Sequence, residues 1–112
     1  MSSAIGVKHD QGKNRLGLML SGFSRSIEQV GLVATFGAQK YADDGWITVP
    51  DATRRYTDAM LRHLMKDMQG ERIDDESGLP HLAHCAWCAL AILDLELRKN
   101  ANRTNQQTAS TP

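Results

Sequence analysis

The sequence lacks a surplus of charge of either sign. Its 13 basic residues are balanced by 13 acidic ones, so the formal net charge is zero. Non-specific binding to nucleic acid requires a sustained basic surface that attracts phosphates. We therefore expect no duplex nucleic acid among the partners of this protein.

Long apolar runs are also missing. No apolar stretch reaches the length of about 20 residues that a membrane-spanning helix needs. The segment MSSAIGVKHD at the start lacks the apolar region of a secretory signal peptide. These absences predict a cytoplasmic protein with no membrane partner.

Cysteine is scarce and the chain is short. Cys85 and Cys88 fall inside a helical pattern, where reduced thiols that pack as small apolar side chains are expected and a disulfide framework is not. A chain of 112 residues forms one domain with a small core. We expect that core to be completed by oligomerisation, as a homodimer or a homotetramer.

Apolar periodicity predicts an all-α fold, a helical bundle of three main helices that follows an irregular N-terminal arm. The arm, residues 1–23, contains scattered glycines and shows no helical period. The first main helix is expected from Ser24 or Ser26 to about Tyr41. Ser26 and Gln29 resemble a capping box at its start.

The other two main helices carry clearer boundary signals. The second is expected from Asp51, as N-cap, to Gln69, with Gly70 as its stop. The third begins between residues 77 and 80 and ends near Arg98. It is apolar on every side from residue 82 to residue 93, which predicts burial against its own chain and against another. Residues 99–112 are expected to form a disordered polar tail beyond a domain of residues 1–98.

Histidines and carboxylates concentrate between the second and third helices. His63 and Asp67 share one face of the second helix, while His81 and His84 share a narrow arc of the third with both cysteines. An antiparallel hairpin would bring these groups to one end of the bundle. The acidic segment between the helices supplies the carboxylates of Glu71, Asp74, Asp75 and Glu76. This number of oxygen ligands suits Mg²⁺ or Mn²⁺, which bridge phosphate oxygens and activate water.

Each of these residues also has a simpler interpretation. A histidine within a helix is commonly a hydrogen-bonded core residue, and an acidic segment is often a solvated turn. His81, His84, Cys85 and Cys88 also have the ligand chemistry of a structural zinc site. We disfavour zinc because these cysteines lie within a helix, whereas zinc knuckles usually turn the chain at the cysteine pair.

Cations and an aromatic ring form a second candidate group. Lys40 and Trp46 have the chemistry to bind a phosphate and to stack on a base. Lys13 and Arg15, on the glycine-rich arm, are candidates to fold over a triphosphate. The alternatives are hydrophobic staples for the aromatic residues and solvated charges for the cations.

Short motifs follow one another in a distinctive order. In sequence they are Gly12-Lys13, Phe36-Gly37-Ala38, Lys40-Tyr41, Trp46, Arg62-His63-Leu64, Gly70-Glu71, Asp74, Glu76-Ser77-Gly78-Leu79 and His81-Leu82-Ala83-His84. Over about residues 12 to 95 this order and spacing resemble the phage and bacterial dATP/dGTP diphosphohydrolase domain. That family looks like a relative of the MazG-like all-α nucleoside triphosphate pyrophosphohydrolases, helical oligomers that use Mg²⁺ or Mn²⁺.

The resemblance implies a reaction and roles for individual residues. The implied reaction is metal-dependent hydrolysis of dATP or dGTP to the monophosphate and pyrophosphate. The implied metal ligands are Glu71, Asp74 and Glu76. The implied catalytic residues are His63, Glu71, Glu76, His81 and His84. The implied substrate contacts are Lys13, Lys40, Trp46 and Arg62.

The chain departs from the family pattern at several positions. Cys88 occupies a place associated with asparagine, and the first main helix offers Glu28 alone in place of the paired Glu-x-x-Glu of MazG-like proteins. The missing pair leaves a second hypothesis open, a protein that binds a nucleotide or cyclic nucleotide without cutting it. A third hypothesis is a structural helical oligomer whose histidines are core residues.

Overall fold

The structure, a computed structural model, describes the backbone of residues 4–110 and the side chains of residues 4–105. Helices dominate this part of the chain, which confirms the predicted all-α class. None of the helices within residues 4–110 has the length and apolarity to cross a membrane. The elements are α1 Leu16–Gly22, α2 Ser24–Lys40, a 3-10 helix Gly45–Thr48, α3 Ala52–Met68 and α4 His81–Ser110.

The predicted extents of the first two main helices agree with α2 and α3, but their predicted N-caps are wrong. Ser26 lies inside α2, which begins at Ser24 and has no side-chain cap. Asp51 precedes α3 with a φ of 54° and makes no capping hydrogen bond. An N-cap side chain reaches the first free N–H groups from an extended backbone, whereas Asp51 is in the left-handed region. Its carboxylate lies 3.6 Å from Arg54 instead.

The predicted end of α3 at Gly70 is confirmed. Gly70 has a φ of 95°, and its N–H donates to the Asp67 carbonyl at 3.0 Å. The N–H of Glu71 donates to the Lys66 carbonyl at 3.0 Å. These two bonds form a Schellman motif, which satisfies carbonyls in the last turn of the helix. The same turn directs the chain into the acidic segment.

Helix formation extends farther at both ends than the pattern predicts. The prediction of an irregular arm is wrong for α1, where leucine and methionine outweigh two glycines in helix propensity. The predicted end near Arg98 is wrong as well, because α4 continues to Ser110. No glycine or proline lies between Pro80 and Ser110 to stop it. The predicted disordered tail is therefore helical up to Ser110, and residues 111–112 lie outside the described part of the chain.

The helices α3 and α4 pack as an antiparallel pair, as the hairpin prediction requires. His63, near the end of α3, stacks on His84 near the start of α4, with ring centroids 4.4 Å apart. Tyr56, near the start of α3, contacts Trp87 farther along α4, at 5.4 Å. The contacts therefore run in opposite directions along the two helices. The helix α2 packs against α4 as well.

The core formed within one chain is small. Its buried apolar side chains are those of Val33, Ala83, Cys88, Ala91 and Leu95. α3 turns inward the side that carries His63 and Asp67, so that Asp67 is buried and His63 is half-buried. Residues on opposite sides of a helix cannot both face one neighbour. The apolar stripe of α3, Leu61, Leu64, Met65 and Met68, is therefore exposed.

Gly78→Ala is expected to lower the free energy of unfolding by about 1–2 kcal/mol, because Gly78 has a φ of 72°, where a Cβ is disfavoured. Gly31→Ala is the matched control. Gly31 lies within α2 and a Cβ there meets nothing within 4 Å, so the free energy of unfolding should rise by roughly 0.5–1 kcal/mol. Urea unfolding followed by circular dichroism measures both, and equal losses would contradict the assignment of the turn.

Candidate metal and nucleotide site

Two histidines and one carboxylate converge where α3, α4 and the intervening loop meet. The Nδ1 atoms of His63 and His81 are 2.8 Å apart. The potential ligand atoms of His63, Asp74 and His81 all lie within 4.8 Å of one another. Three elements of the fold, each supplying one residue, thus direct a nitrogen or oxygen ligand towards one point.

The loop that carries Asp74 is tied down by its own backbone. Asp74 donates its N–H to the Leu79 carbonyl at 2.9 Å, and Gly78 donates to the Asp74 carbonyl at 2.8 Å. The N–H of His81 donates to the Arg72 carbonyl at 2.9 Å. The loop is therefore held by paired hydrogen bonds and is not simply the solvated turn of the alternative interpretation.

Ser77 fixes the carboxylate of Asp74. Its N–H and its hydroxyl both donate to Asp74 Oδ2, at 2.9 Å and 2.7 Å. The same hydroxyl oxygen lies 2.7 Å from His84 Nε2. Because the single hydroxyl proton goes to Asp74, the oxygen accepts from His84 Nε2–H. The sequence prediction missed this role, and the only signal for it was the position of Ser77 within the Glu76-Ser77-Gly78-Leu79 motif.

Glu71 orients His81. The Nε2 of His81 lies 3.0 Å from Glu71 Oε2, and the imidazole is only 3% exposed. An Nε2–H that donates to Glu71 leaves a lone pair on Nδ1 of the neutral ring. That lone pair points towards His63. In metal-binding histidines, a carboxylate commonly accepts a hydrogen bond from the ring N–H that does not bind the metal, and this bond sets the tautomer of the imidazole.

Burial and hydrogen bonding set the protonation states. Burial lowers the pKa of His63 and of His84 below the ordinary value for histidine. Burial alone would raise the pKa of Asp74, but the hydrogen bonds from Ser77 outweigh it and hold the pKa below the ordinary value. At neutral pH His63 is therefore a neutral imidazole and Asp74 an ionised carboxylate, the forms in which these side chains bind a metal ion.

The other two predicted metal ligands lie outside this group. Glu76 pairs with Lys40 in the last turn of α2, and this ion pair raises the pKa of the lysine. Glu71 contacts His81 and lies 3.7 Å from Lys66. Among the described side chains, the ligand atoms of the three predicted carboxylates do not form a cluster of their own. Of the three predicted carboxylate ligands, Asp74 is thus the one that lies beside the imidazoles of His63 and His81.

The predicted substrate contacts are distributed unevenly. Lys40 reaches the acidic loop through Glu76. Arg62 is exposed on α3 beside His63. Lys13 is exposed on the arm, where its backbone N–H donates to the backbone carbonyl of Asp10. The structure brings neither of these two cations within hydrogen-bond distance of the metal-ligand group.

Trp46 belongs to an aromatic cluster. Its ring meets Trp87 edge-on, with centroids 6.0 Å apart, and its carbonyl accepts a hydrogen bond from the Tyr56 hydroxyl at 3.2 Å. The guanidinium of Arg98 lies 5.6 Å from the centre of the Trp46 ring. The sequence prediction missed Trp87, which lies three residues after His84, and Arg98, which lies farther along α4. This cluster positions Trp46 at the edge of the α3 and α4 pair.

The cysteines pack rather than ligate. Cys88 is buried, and burial raises the pKa of its thiol to about 11. The Cys85 thiol donates to the Met60 carbonyl at 3.3 Å. Neither residue joins a group of potential ligands among the described side chains.

Comparison with known proteins places this architecture in a family. A family model described as dATP/dGTP diphosphohydrolase, N-terminal, matches residues 3–105. The chain belongs to this family. A dATP/dGTP diphosphohydrolase of Salmonella phage PMBT28 is 33% identical over 107 residues, which cover 96% of this chain and 35% of the relative. The chain thus spans about a third of the length of that curated relative. No solved structure matches, so the relation to MazG-like proteins stays a prediction.

Acidification is expected to destabilise the metal-free protein as the pH falls below about 6.5. Because the pKa values of His63 and His84 are lowered in the folded state, the unfolded chain binds more protons just below that pH, and unfolding is favoured. Melting temperatures measured with a chelator from about pH 7.5 to about pH 5.5 test this.

His84→Gln should weaken this pH dependence, because one of the two titrating groups is removed. His9→Gln, at an exposed position on the arm, is the control and should leave it unchanged. A melting temperature that does not fall with pH in the unsubstituted chain would contradict the assigned protonation states.

Proposed function

We propose that this chain hydrolyses a purine deoxynucleoside triphosphate, dATP or dGTP, to the monophosphate and pyrophosphate, with a divalent metal ion as cofactor. Membership of the family supports the substrate class. The observation that carries the proposal is the convergence of His63, Asp74 and His81. The same loop carries Glu76, which pairs with Lys40, a cation that has the chemistry to bind phosphate.

The donor set fits a divalent ion. Two imidazole nitrogens and a carboxylate oxygen suit Mn²⁺ and its transition-metal neighbours better than Mg²⁺, which prefers oxygen ligands alone. In this proposal His63, Asp74 and His81 hold the ion, in place of the all-carboxylate set that the resemblance implies. Glu71 sets the orientation of His81, and Ser77 sets that of Asp74.

The bound ion would neutralise charge on the triphosphate and lower the pKa of a water molecule. The protein supplies the positioning and the base. His84 donates its Nε2–H to Ser77, so its Nδ1 is unprotonated in the neutral ring. We assign to this nitrogen the acceptance of the proton from the attacking water, since a neutral imidazole at neutral pH is an effective general base.

The substrate side of the proposal rests on Lys40 and Trp46. Glu76 holds the Lys40 ammonium close to the loop that carries Asp74, where it is a cation for the β and γ phosphates. Trp46, half-buried at the edge of the aromatic cluster, is a stacking surface for a purine. Arg62 and Lys13 stay predicted contacts.

Asp74→Asn is expected to reduce pyrophosphate release by more than about 100-fold, because it removes the single charged ligand of the group. The matched control is Asp75→Asn, which removes the same charge from an adjacent, exposed carboxylate outside that group. The assay incubates each protein with dATP or dGTP and Mn²⁺ or Mg²⁺ and separates the products by ion exchange.

Titration calorimetry with Mn²⁺ alone gives a second readout that does not depend on turnover. Asp74→Asn should lose the heat of binding, and Asp75→Asn should keep it. Intact nucleotide recovered from the unsubstituted chain would refute hydrolysis and favour the nucleotide-binding hypothesis. Equal activity in the two variants would refute the assignment of Asp74.

A further inference from the structure

Asp67, in the last turn of α3, is a buried acidic residue that takes no part in the proposed reaction. Its side chain is 12% exposed, and its Oδ2 lies 3.0 Å from Nη1 of Arg72. A carboxylate taken out of water is costly unless a charged partner compensates it. The guanidinium of Arg72 supplies that compensation from the surface, where it is 70% exposed. The chain therefore maintains an ion pair across the turn that ends α3.

Arg72 begins the part of the loop that leads to the metal-ligand group. Its carbonyl accepts a hydrogen bond from the N–H of His81 at 2.9 Å, and the N–H of Asp74 donates to the facing segment at 2.9 Å. The residues between these two bonds pair as an antiparallel bridge. We call the two paired segments, residues 72–74 and 79–81, the loop ladder. Two of the three proposed ligands, Asp74 and His81, thus lie in a single paired unit.

The third proposed ligand lies on α3, close to the point where the ion pair holds the loop ladder. His63 and Asp67 are four residues apart in one helix, so they share a side of it and are about 6 Å apart along its axis. The ion pair joins that side of α3 to the first residue of the loop ladder. A change in this contact would therefore alter the separation of His63 from Asp74 and His81.

We propose that the ion pair of Asp67 and Arg72 positions the metal ligands, by holding the loop ladder at the distance from His63 that one divalent ion requires. Neither member of the pair belongs to the group of potential ligands, so both are positioning residues. The inference rests on the metal site of the proposed function. Because the guanidinium is exposed, the pair contributes little to the stability of the whole chain, and its effect is local.

Substitution of Arg72 separates positioning from the effect of charge alone. Arg72→Gln removes a positive charge from the loop, which by itself would strengthen the binding of a cation. Positioning predicts the opposite result, a rise of roughly 10-fold or more in the dissociation constant for Mn²⁺. Titration calorimetry of the metal-free protein with Mn²⁺ measures this constant, and unchanged or tighter binding would overturn the proposal.

Arg54→Gln is the matched control for this substitution. It removes the same charge from an exposed ion pair on α3, in which Arg54 lies 3.6 Å from Asp58. That pair does not contact the loop ladder, so the affinity for Mn²⁺ should not fall. Weaker binding in Arg54→Gln, equal to that in Arg72→Gln, would contradict the assignment of the positioning role to Arg72.

A double variant keeps the test decisive if a single substitution impairs folding. Asp67→Asn combined with Arg72→Gln leaves no unpaired buried charge and does not alter the net charge of the chain. Charge alone therefore predicts an unchanged affinity for Mn²⁺, whereas positioning predicts the same loss of roughly 10-fold. Equal affinity in the double variant and the unsubstituted chain would refute the inference. Loss of the helical circular dichroism signal in the double variant would also refute it, because the proposed role is local.

Hydrogen exchange in the metal-free protein gives a readout that needs neither metal nor turnover. The N–H of His81 should exchange about 10-fold faster in the double variant, because its acceptor, the Arg72 carbonyl, is released from α3. Amides in the middle of α3 should keep their rates. Faster exchange throughout the chain would indicate a role in overall stability and would overturn the inference. A lack of Mn²⁺ binding by the unsubstituted chain would instead refute the proposed metal site itself.

Discussion

The structure depends on the rotation of α3 about its axis, which turns the side that carries His63 and Asp67 towards α4. That orientation places His63 and Asp67 against the neighbouring helix and leaves His81 only 3% exposed. A buried imidazole must satisfy both ring nitrogens, because an unpaired polar atom in the interior is costly. His81 does so through His63 on one side and Glu71 on the other. The site is therefore part of the packing between the two helices.

The loop between these helices completes the site because its backbone is paired with itself. Asp74, Ser77 and His84 form a connected set of hydrogen bonds in which each group has a defined role as donor or acceptor. Such a set holds its members in one geometry, which reduces the reorganisation needed when a ligand arrives. The lowered pKa values of His63 and Asp74 follow from that same environment.

The polar site and the exposed apolar surface have a common origin. A helix that turns its histidine and aspartate inward must turn its opposite stripe outward, and on α3 that stripe is leucine and methionine. The core is correspondingly small, and among the described side chains the buried apolar ones are all short or of medium size. Burying polar groups between α3 and α4 therefore leaves leucine and methionine side chains exposed on the outer side of α3.

The sequence by itself determined the helical class, the extents of α2 and α3, the stop at Gly70 and the concentration of ligand residues around the loop between α3 and α4. Periodicity, glycine and residue chemistry are local signals. Local signals missed the helix α1 and the last part of α4, where the apolar residues have no strong helical periodicity. They also assigned an N-cap to Asp51, whose left-handed backbone does not allow the capping hydrogen bond. Only the tertiary structure decided which carboxylate joins the imidazoles and which supports them. Two acidic residues three positions apart are equivalent in the sequence, but the Schellman turn and the paired loop send Asp74 towards His63 and leave Glu71 behind His81.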